Sequence, residues 1–262
     1  MPSHTPRKRF GQNFLRDETV VNRIVSAVHA QESDHLVEIG PGRGALTGAL
    51  VKIGCDLDVI ELDRDLVPGL LAAFSIYPHF TLYSSDALDF DFTALAKGGE
   101  RLRIIGNLPY NISTPLIFKL LENGGVIRDM HFMLQLEVVE RLAAGPGGKA
   151  WGRLGIMAQY HCAVEHLFDV PPSAFHPRPK VQSAVVRMTP RDESPWPDCE
   201  AWRLERVVRA AFAQRRKTLR NTLKGLIDAD GLEVLGIDPG ARAETLGMTQ
   251  FIAIANAIRS GD

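Results

Sequence analysis

Short apolar runs alternate with helically spaced apolar positions over the first two-thirds of the chain. Between the runs, apolar spacing predicts helices, among them one over 17–30 with Asp17 at its N-cap. The apolar runs bounded by turn residues predict strands over 35–39, 57–60, 80–83, 102–106 and 130–134. Uniformly apolar strands separated by helices are typical of βα units that feed a parallel sheet covered on both faces. The pattern therefore predicts a doubly wound, Rossmann-like α/β domain.

The pattern changes after a last strand-like run at 183–188. Residues 191–200 combine two prolines with dense charge, which is typical of a linker. Beyond it only helical spacing is found, over 201–224, 228–235 and 249–259. We therefore predict an α/β domain over 1–190, with a basic N-terminal arm, and a small all-α domain over 191–262.

Composition and charge exclude several classes of protein. The 262 residues are 45% hydrophobic and 23% charged, and 30 basic against 31 acidic residues give a net charge of −1, which excludes histone-like and acidic-tail proteins. The 3 cysteines form no CxxC pair or Cys/His cluster, so we expect neither a disulfide framework nor a bound metal. The basic N-terminus leads into no apolar signal segment, and no apolar stretch is long enough to span a bilayer. A cytoplasmic, monomeric protein with no membrane partner is expected.

A glycine-rich turn follows the first predicted strand of the α/β domain. Gly40, Gly42 and Gly44 come where that strand turns into a helix, and in open α/β sheets nucleotides bind at this edge. Glu61 ends the second strand, about twenty residues on, where a carboxylate accepts hydrogen bonds from ribose hydroxyls. Asp86 ends the third strand and can accept one from an adenine amine. These positions predict an adenosine site.

The residues around this turn favour a cationic ligand over a dinucleotide. The glycine spacing is G-x-G-x-G rather than the G-x-G-x-x-G of dinucleotide-binding proteins. Glu38, just before the turn, would repel a pyrophosphate but suits the sulfonium and ammonium groups of S-adenosylmethionine. A tight strand–helix turn without any ligand is the alternative interpretation.

The motif Asn107-Leu108-Pro109-Tyr110 follows the fourth strand and matches the (N/D/S)PP(Y/F/W) signature of methyltransferases that act on adenine amines. The Asn107 side-chain oxygen and the Leu108 carbonyl can accept the two N–H groups of such an amine, and Pro109 fixes the backbone. Tyr110 offers a face on which the base can stack. No dedicated base is needed, since positioning supplies most of the rate. The alternative is a strand-terminal turn in which Asn107 only caps a helix.

Two further segments flank the predicted site. Residues 171–180 form a proline-stiffened loop that presents Phe175, which suits stacking on the opposite face of an extruded base; a buried anchor is the alternative. Residues 11–14 (GQNF) either fold over the site as a lid or form a flexible tail.

Basic residues concentrate in the C-terminal region and in the N-terminal arm. The helix predicted over 201–224 has eight basic residues against one acid, and its end carries Arg215, Arg216, Lys217 and Arg220. The arm adds Arg7, Lys8 and Arg9. Such patches attach to phosphates independently of sequence, so we predict RNA contacts here, with specificity from RNA shape. A solvated helix face is the alternative interpretation.

Taken together, the motifs resemble those of the ribosomal-RNA adenine dimethyltransferases, and among them the bacterial small-subunit, kasugamycin-resistance methyltransferase family. The segments that carry the resemblance are GQNFL (11–15), EIGPGRGALT (38–47), IGNLPYNISTPLIFKLL (105–121), AFHPRPKVQSAVVRM (174–188) and QRRKTLRNTL (214–223). The resemblance implies a class I methyltransferase domain. It further implies S-adenosylmethionine-dependent dimethylation of two adjacent adenosines in the 3′-terminal hairpin of 16S ribosomal RNA, during small-subunit biogenesis.

The resemblance also assigns roles to individual residues. It implies that Tyr110 and Phe175 are stacking aromatics. It implies cofactor contacts from the positions of Asn13, Leu15, Gly40, Glu61, Asp86 and Asn107. Two departures from the family pattern are Ser85, where a glycine is usual, and Arg178, which interrupts a proline run.

Three other functions are alternatives to this prediction. A related large-subunit methyltransferase that confers macrolide resistance is disfavoured by the long helical C-terminal region and its QRRKTLRN motif. A non-catalytic assembly or transcription factor on the same fold is disfavoured by intact Glu61, Asn107 and Tyr110. A nicotinamide-dependent dehydrogenase has different glycine spacing and lacks the Asn-Leu-Pro-Tyr turn.

Overall fold

The computed structural model describes residues 12–96, 98–109 and 112–258. The strands run over Phe14–Leu15 (β1), His35–Ile39 (β2), Asp56–Ile60 (β3), Phe80–Tyr83 (β4), Leu102–Asn107 (β5), Ile127–Gln135 (β6), Cys162–Val170 (β7), Phe175–His176 (β8) and Ser183–Pro190 (β9). The α-helices run over Glu18–Val28 (α1), Thr47–Leu50 (α2), Val67–Phe74 (α3), Ser113–Glu122 (α4), Leu136–Ala143 (α5), Arg153–His161 (α6), Ala201–Ala211 (α7), Leu219–Thr222 (α8), Ala229–Val234 (α9) and Met248–Ala257 (α10). Single 3-10 turns are found over Val51–Ile53, Phe92–Ala94, Gly124–Val126, Pro172–Ala174 and Ala243–Thr245.

A 7-stranded sheet in the order β4-β3-β2-β5-β6-β9-β7 organises the first part of the chain. Strands β2 to β6 pair in parallel, and β9 runs antiparallel to β6. From β2 the chain builds outward through β3 and β4 on one side, and it then returns to build outward through β5 and β6 on the other side. In doubly wound sheets the crevice at such a switch point receives the ligand, beyond the carboxyl ends of the strands. The predicted doubly wound α/β class is confirmed.

The local signals explain most of the predicted elements. Asp17 caps α1, because its carboxylate accepts hydrogen bonds from the backbone N–H groups of Thr19 and Val20. The helix ends at His29, which has a left-handed backbone (φ 52°), so it is shorter than the predicted 17–30. β2 has the predicted bounds, and its last four residues are buried.

A small second sheet was not predicted. β1 pairs antiparallel with β8, so that Phe14 faces His176 and Leu15 faces Phe175. Strands of two residues carry no alternation of apolar and polar positions, so the sequence offers no signal for them. The pairing attaches the N-terminal segment to the loop that carries Phe175.

The chain divides into two compact units, and the division differs from the predicted one. The first unit comprises residues 1–139 and 163–190, and the second comprises 140–162 and 191–262. The boundary after 190 is where the sequence placed it. Residues 140–162 are a correction, because they pack with the C-terminal helices: the Trp151 indole donates to the Leu246 carbonyl at 2.8 Å.

The helix predicted over 201–224 is wrong as one continuous element. α7 ends at Ala211, and α8 begins at Leu219. The apolar stripe of α7 is fully buried at Leu204 and Val207. Continuing that stripe at 3.6 residues per turn would bury Gln214 and Arg215, so the helix stops before them. Arg215, Arg216 and Lys217 therefore lie in an exposed turn rather than on a helix face.

Within the described ranges, no helix combines the length and the apolar character needed to cross a membrane. The same residues contain no group of three or more His, Cys, Asp or Glu side chains arranged to hold a metal ion.

Candidate active site

A cavity lies at the carboxyl edge of the sheet, at the switch point between β2, β3 and β5. The structure brings together there all six residues predicted to contact the cofactor. These are Asn13, Leu15, Gly40, Glu61, Asp86 and Asn107. Leu108 and Pro109 of the predicted catalytic turn also line the cavity, as does Glu38.

The glycine turn after β2 has a backbone that favours glycine. Gly40 and Gly42 have φ of 69° and 59°, in the left-handed region. A Cβ atom at Gly42 would lie 2.9 Å from Cδ1 of Phe14, so the turn also makes room for the N-terminal segment. The Gly42 N–H donates to the Glu61 carboxylate at 3.3 Å. The turn is thereby fixed to the end of β3.

Glu61 is buried, and its carboxylate is held by the backbone. One oxygen accepts from the Asp63 N–H at 2.7 Å and the other from the Gly42 N–H. Burial raises the pKa of Glu61 to about 7, against the lowering effect of these two hydrogen bonds. The carboxylate has lone pairs left for ligand hydroxyl donors, as the ribose prediction requires.

Glu38 is a second buried carboxylate in the same cavity. Its Oε2 accepts from the Thr47 hydroxyl at 2.6 Å. Burial, together with the nearby charge of Glu61, raises the pKa of Glu38 to about 7, against the lowering effect of the hydrogen bond from Thr47. Two buried carboxylates repel each other when both are ionised. A bound cation next to them stabilises the ionised forms. The site therefore fits a positively charged ligand such as the predicted cofactor.

Asp86, which follows β4, also lines the cavity. Its Oδ1 accepts from the Leu88 N–H at 2.8 Å, which fixes the carboxylate in a tight turn. Ser85, the departure from the family pattern, keeps the backbone ladder by donating its N–H to the Glu61 carbonyl at 3.2 Å. The turn thus keeps a fixed acceptor oxygen at the cavity despite the serine.

Asn107 ends β5, and its amide is oriented by the N-terminal segment. Its Nδ2 donates to the Asn13 carbonyl at 3.1 Å. This contact leaves the side-chain oxygen as the group that can accept from a ligand. Leu108 follows, with its N–H donated to the Met133 carbonyl and its side chain buried. Tyr110, predicted to stack on the target base, lies outside the described residues.

Phe175 is not placed as the stacking prediction requires. Its side chain is 4% exposed and belongs to a core cluster with Leu15 and Val185 rather than to the cavity lining. The β1–β8 pairing turns the ring into this core. The described structure matches the alternative of a buried anchor, and a stacking role for Phe175 stays a prediction.

Residues 12–15 cover the cavity, which favours the lid over the flexible tail. Gln12 donates through Nε2 to Asp63 Oδ2 at 2.8 Å. Phe14 packs against Leu66 and Leu70, beneath the Arg43 guanidinium at 4.9 Å from its ring centre. Asp63 was missed by the sequence analysis, since only the fold brings it to the arm. The predicted RNA-binding residues Arg7, Lys8 and Arg9 lie outside the described residues.

A second cavity lies wholly within the second unit and is basic. Arg215 and Lys217, both predicted to contact RNA, line it. Four further cations line it that the sequence analysis missed: Arg141, Lys149, Arg153 and Arg242. They are dispersed along the chain, so no local charge run marks them. Arg216 and Arg220 are exposed but do not line this cavity.

The sheet order and the crevice at its switch point are those of the class I methyltransferase fold. The chain belongs to the ribosomal RNA adenine dimethylase family, whose model matches residues 3–260. It is therefore a ribosomal RNA adenine dimethyltransferase, and the enzyme class expected from the sequence is confirmed.

Individual relatives are similar over nearly the whole chain. Ribosomal RNA small subunit methyltransferase A from Pseudomonas aeruginosa is 60% identical over 255 residues, which cover 97% of this chain and 95% of the relative. The protein of the same name from Chromohalobacter salexigens is 57% identical over 261 residues, covering 98% and 93%.

Two solved structures share the fold. A dimethyladenosine transferase from Plasmodium falciparum superposes with a TM-score of 0.76 at 24% identity, covering 92% of this chain and 95% of its own. The 23S rRNA methyltransferase ErmE gives a TM-score of 0.73 at 24% identity, covering 94% and 99%. At this identity they support the fold alone.

Proposed function

We propose that the enzyme uses S-adenosylmethionine to dimethylate the exocyclic amines of two adjacent adenosines in the 3′-terminal hairpin of 16S ribosomal RNA. It acts as a monomer in the cytoplasm, during small-subunit biogenesis. The small-subunit substrate is supported by the names of relatives at 57–60% identity. The observation that carries the proposal is the single cavity that Glu38, Glu61 and Asp86 line together with the Asn107–Pro109 turn.

The carboxylates of the cavity hold the cofactor. Glu61 accepts from the ribose hydroxyls, and Asp86 accepts from the adenine amine through the oxygen not bonded to Leu88. Glu38 lies where it balances the positive charge at the methionine end. When bound, S-adenosylmethionine supplies a methyl carbon activated by its sulfonium.

The Asn107–Pro109 turn orients the amine that receives the methyl group. The adenine amine is a poor nucleophile because its lone pair is delocalised into the ring. Asn107 Oδ1 and the Leu108 carbonyl accept its two N–H groups, which aims the nitrogen lone pair at the methyl carbon. Held by Glu38, Glu61 and Asp86, S-adenosylmethionine would supply its methyl carbon to this amine and keep the C–S electron pair on its sulfur, and the proton released from the nitrogen would pass to water.

The basic cavity of the second unit supports the RNA-binding part of the proposal. Six cationic side chains line it against one acid, Glu244. Phosphate contacts of this kind hold the RNA without reading its sequence. Arg215, Arg216, Lys217 and Arg220 attach the enzyme to the small subunit, together with Arg7, Lys8 and Arg9 of the arm.

One labelling experiment tests the proposed function. The protein is incubated with methyl-labelled S-adenosylmethionine and small subunits from a strain lacking this methylation, and the label is mapped along the RNA. Label on two adjacent adenosines of the 3′-terminal hairpin is expected. Label on large-subunit RNA in a parallel reaction would favour the large-subunit alternative, and no label on either would favour a non-catalytic factor.

The two raised pKa values predict that cofactor affinity depends on pH. Glu38 and Glu61 both have a pKa of about 7 in the free protein, so each is mostly protonated at pH 6. A cationic ligand binds the ionised form better, so its affinity is lost as pH falls through 7. In calorimetric titrations, one such group is expected to give an about eightfold gain in affinity between pH 6.0 and 7.5. This range lies below the pKa of the ligand's own α-amino group.

A matched variant and a matched ligand serve as controls for this pH dependence. Glu38→Gln removes one titrating group, so its affinity should be lower at pH 7.5 and should vary less with pH. S-adenosylhomocysteine lacks the sulfonium, so its affinity should also vary less. The same pH profile for all three titrations would contradict the assignment of Glu38.

Neutralising the exposed basic turn is expected to weaken binding to the small subunit. In the triple variant Arg215→Ala, Arg216→Ala, Lys217→Ala, the slope of log affinity against log salt should become shallower by roughly 2–3, since up to three phosphate contacts are lost. Cofactor affinity should be unchanged. A charge-preserving triple (Arg215→Lys, Arg216→Lys, Lys217→Arg) should bind nearly as the wild type does. Equal loss of RNA and cofactor binding would indicate misfolding instead.

A further inference from the structure

Lys119 makes a contact that none of the assigned functions uses. It lies in the last turn of α4, and its ammonium donates to the Leu88 carbonyl at 2.6 Å. The same ammonium lies 5.7 Å from the centre of the Phe92 ring. A lysine normally extends into solvent, whereas this one is half-buried and ends on a backbone carbonyl. The contact spans 31 residues of sequence.

The carbonyl that Lys119 holds belongs to the turn that carries Asp86. The Leu88 N–H donates to Asp86 Oδ1, while the Leu88 carbonyl accepts from Lys119. The turn is closed by a second contact, from the Asp89 N–H to the Asp86 carbonyl at 3.1 Å. One peptide residue, Leu88, therefore links the Lys119 ammonium to the Asp86 carboxylate.

The helix that presents Lys119 is packed into the core. α4 has 10 residues, and Leu116, Ile117 and Leu120 on its inner face are fully buried. The helix begins just after the Asn107–Pro109 turn. Lys119 thus attaches the Asp86 turn to α4, the helix that follows the Asn107–Pro109 turn. Both turns line the same cavity, so this contact helps to fix the distance between them.

We propose that Lys119 is a positioning residue for recognition of the cofactor's adenine amine. By holding the Leu88 carbonyl, it sets the turn in which Asp86 presents its acceptor oxygen. This inference rests on the proposed cofactor and on Asp86 as the group that meets its adenine edge. Lys119 itself touches neither ligand.

The test compares two ligands that differ only at the adenine amine. S-adenosylhomocysteine carries the amine, whereas its 6-deamino analogue, a purine with a hydrogen atom at C6, has no group there that can donate to Asp86. Lys119→Met keeps the aliphatic stem and removes the donor. Its affinity for S-adenosylhomocysteine is expected to fall about tenfold, as for a lost charged hydrogen bond. Its affinity for the 6-deamino analogue should be unchanged, so the preference for the amine declines.

Two further variants and the kcat of Lys119→Met test the same positioning role. Lys119→Arg retains a donor and should recover most of the preference, and Asp86→Asn should lose it as Lys119→Met does. At saturating cofactor, kcat of Lys119→Met should equal that of the wild type, while KM for the cofactor rises. A melting curve of each variant shows whether the fold is intact.

The outcomes separate this inference from the proposed function. If Lys119→Met binds both ligands as the wild type does, or loses both equally with a lower melting temperature, the positioning role is overturned. If the wild type binds neither ligand, the proposed cofactor is wrong, and the inference falls with it.

Discussion

Replacing Asn107 by alanine is expected to lower kcat by about 30- to 1,000-fold, or ~2–4 kcal/mol of transition-state stabilisation. The variant lacks the oxygen that accepts from the target amine, so the nitrogen is no longer aimed at the methyl carbon. It also lacks the donor to the Asn13 carbonyl, which holds the N-terminal segment over the cavity. Single-turnover rates at saturating cofactor isolate the first effect from the second.

Two variants serve as controls for this prediction. Asn22→Ala makes the same substitution at an exposed position of α1, and its single-turnover rate should equal that of the wild type. Asn107→Asp keeps an acceptor but cannot donate to Asn13, so it should weaken closure of the arm while retaining more of the chemical step than Asn107→Ala. A near-normal single-turnover rate for Asn107→Ala would remove this residue from the mechanism.

The second large effect is on stability, at Gly106→Ala. Gly106 precedes Asn107 in β5, and a Cβ atom there would lie 2.7 Å from the Ile39 carbonyl oxygen and 2.8 Å from a methyl carbon of Leu108. The oxygen belongs to the backbone of the paired central strand β2, so it cannot move aside as a side chain can. Overpacking of this kind should lower the free energy of unfolding by about 3 kcal/mol, measured by denaturant titration.

Gly69→Ala is the matched control for this substitution. Gly69 lies within α3, and a Cβ atom there would have nothing within 4 Å. Because glycine is unfavourable inside a helix, alanine should raise the free energy of unfolding by about 0.5–1 kcal/mol. A cost below about 1 kcal/mol for Gly106→Ala would mean that β2 and β5 separate more easily than their burial indicates.

Much of the site could be predicted from the sequence because chain order and sheet order are linked. Once the strands are located, the residues that end them share one edge of a parallel sheet, which brings Gly40, Glu61 and Asn107 together. The N-cap of α1 was predictable for a similar reason, since Asp17 acts on its immediate neighbours.

The elements that were missed depend on contacts between distant residues. Leu15 and Phe175 are far apart in the sequence, and their pairing accompanies burial of the Phe175 ring. The residues next to Phe175 do not indicate this burial. Residues 140–162 belong to the second unit, although the chain returns to the first unit at residue 163. α7 ends at Ala211 because the next positions on its buried face, Gln214 and Arg215, are polar and must stay out of the core.

The β1–β8 pairing also ties ligand-binding competence to completion of the chain. Residues 14–15 leave the ribosome first, yet their partners at 175–176 are synthesised only near the end of the first unit. A nascent chain that stops before residue 175 can make the contacts of residues 12–14 with Asp63, Leu66, Leu70 and Asn107, but it lacks the strand that pairs with Phe14 and Leu15. The segment that covers the cavity is therefore fully anchored only after that later strand has emerged and paired.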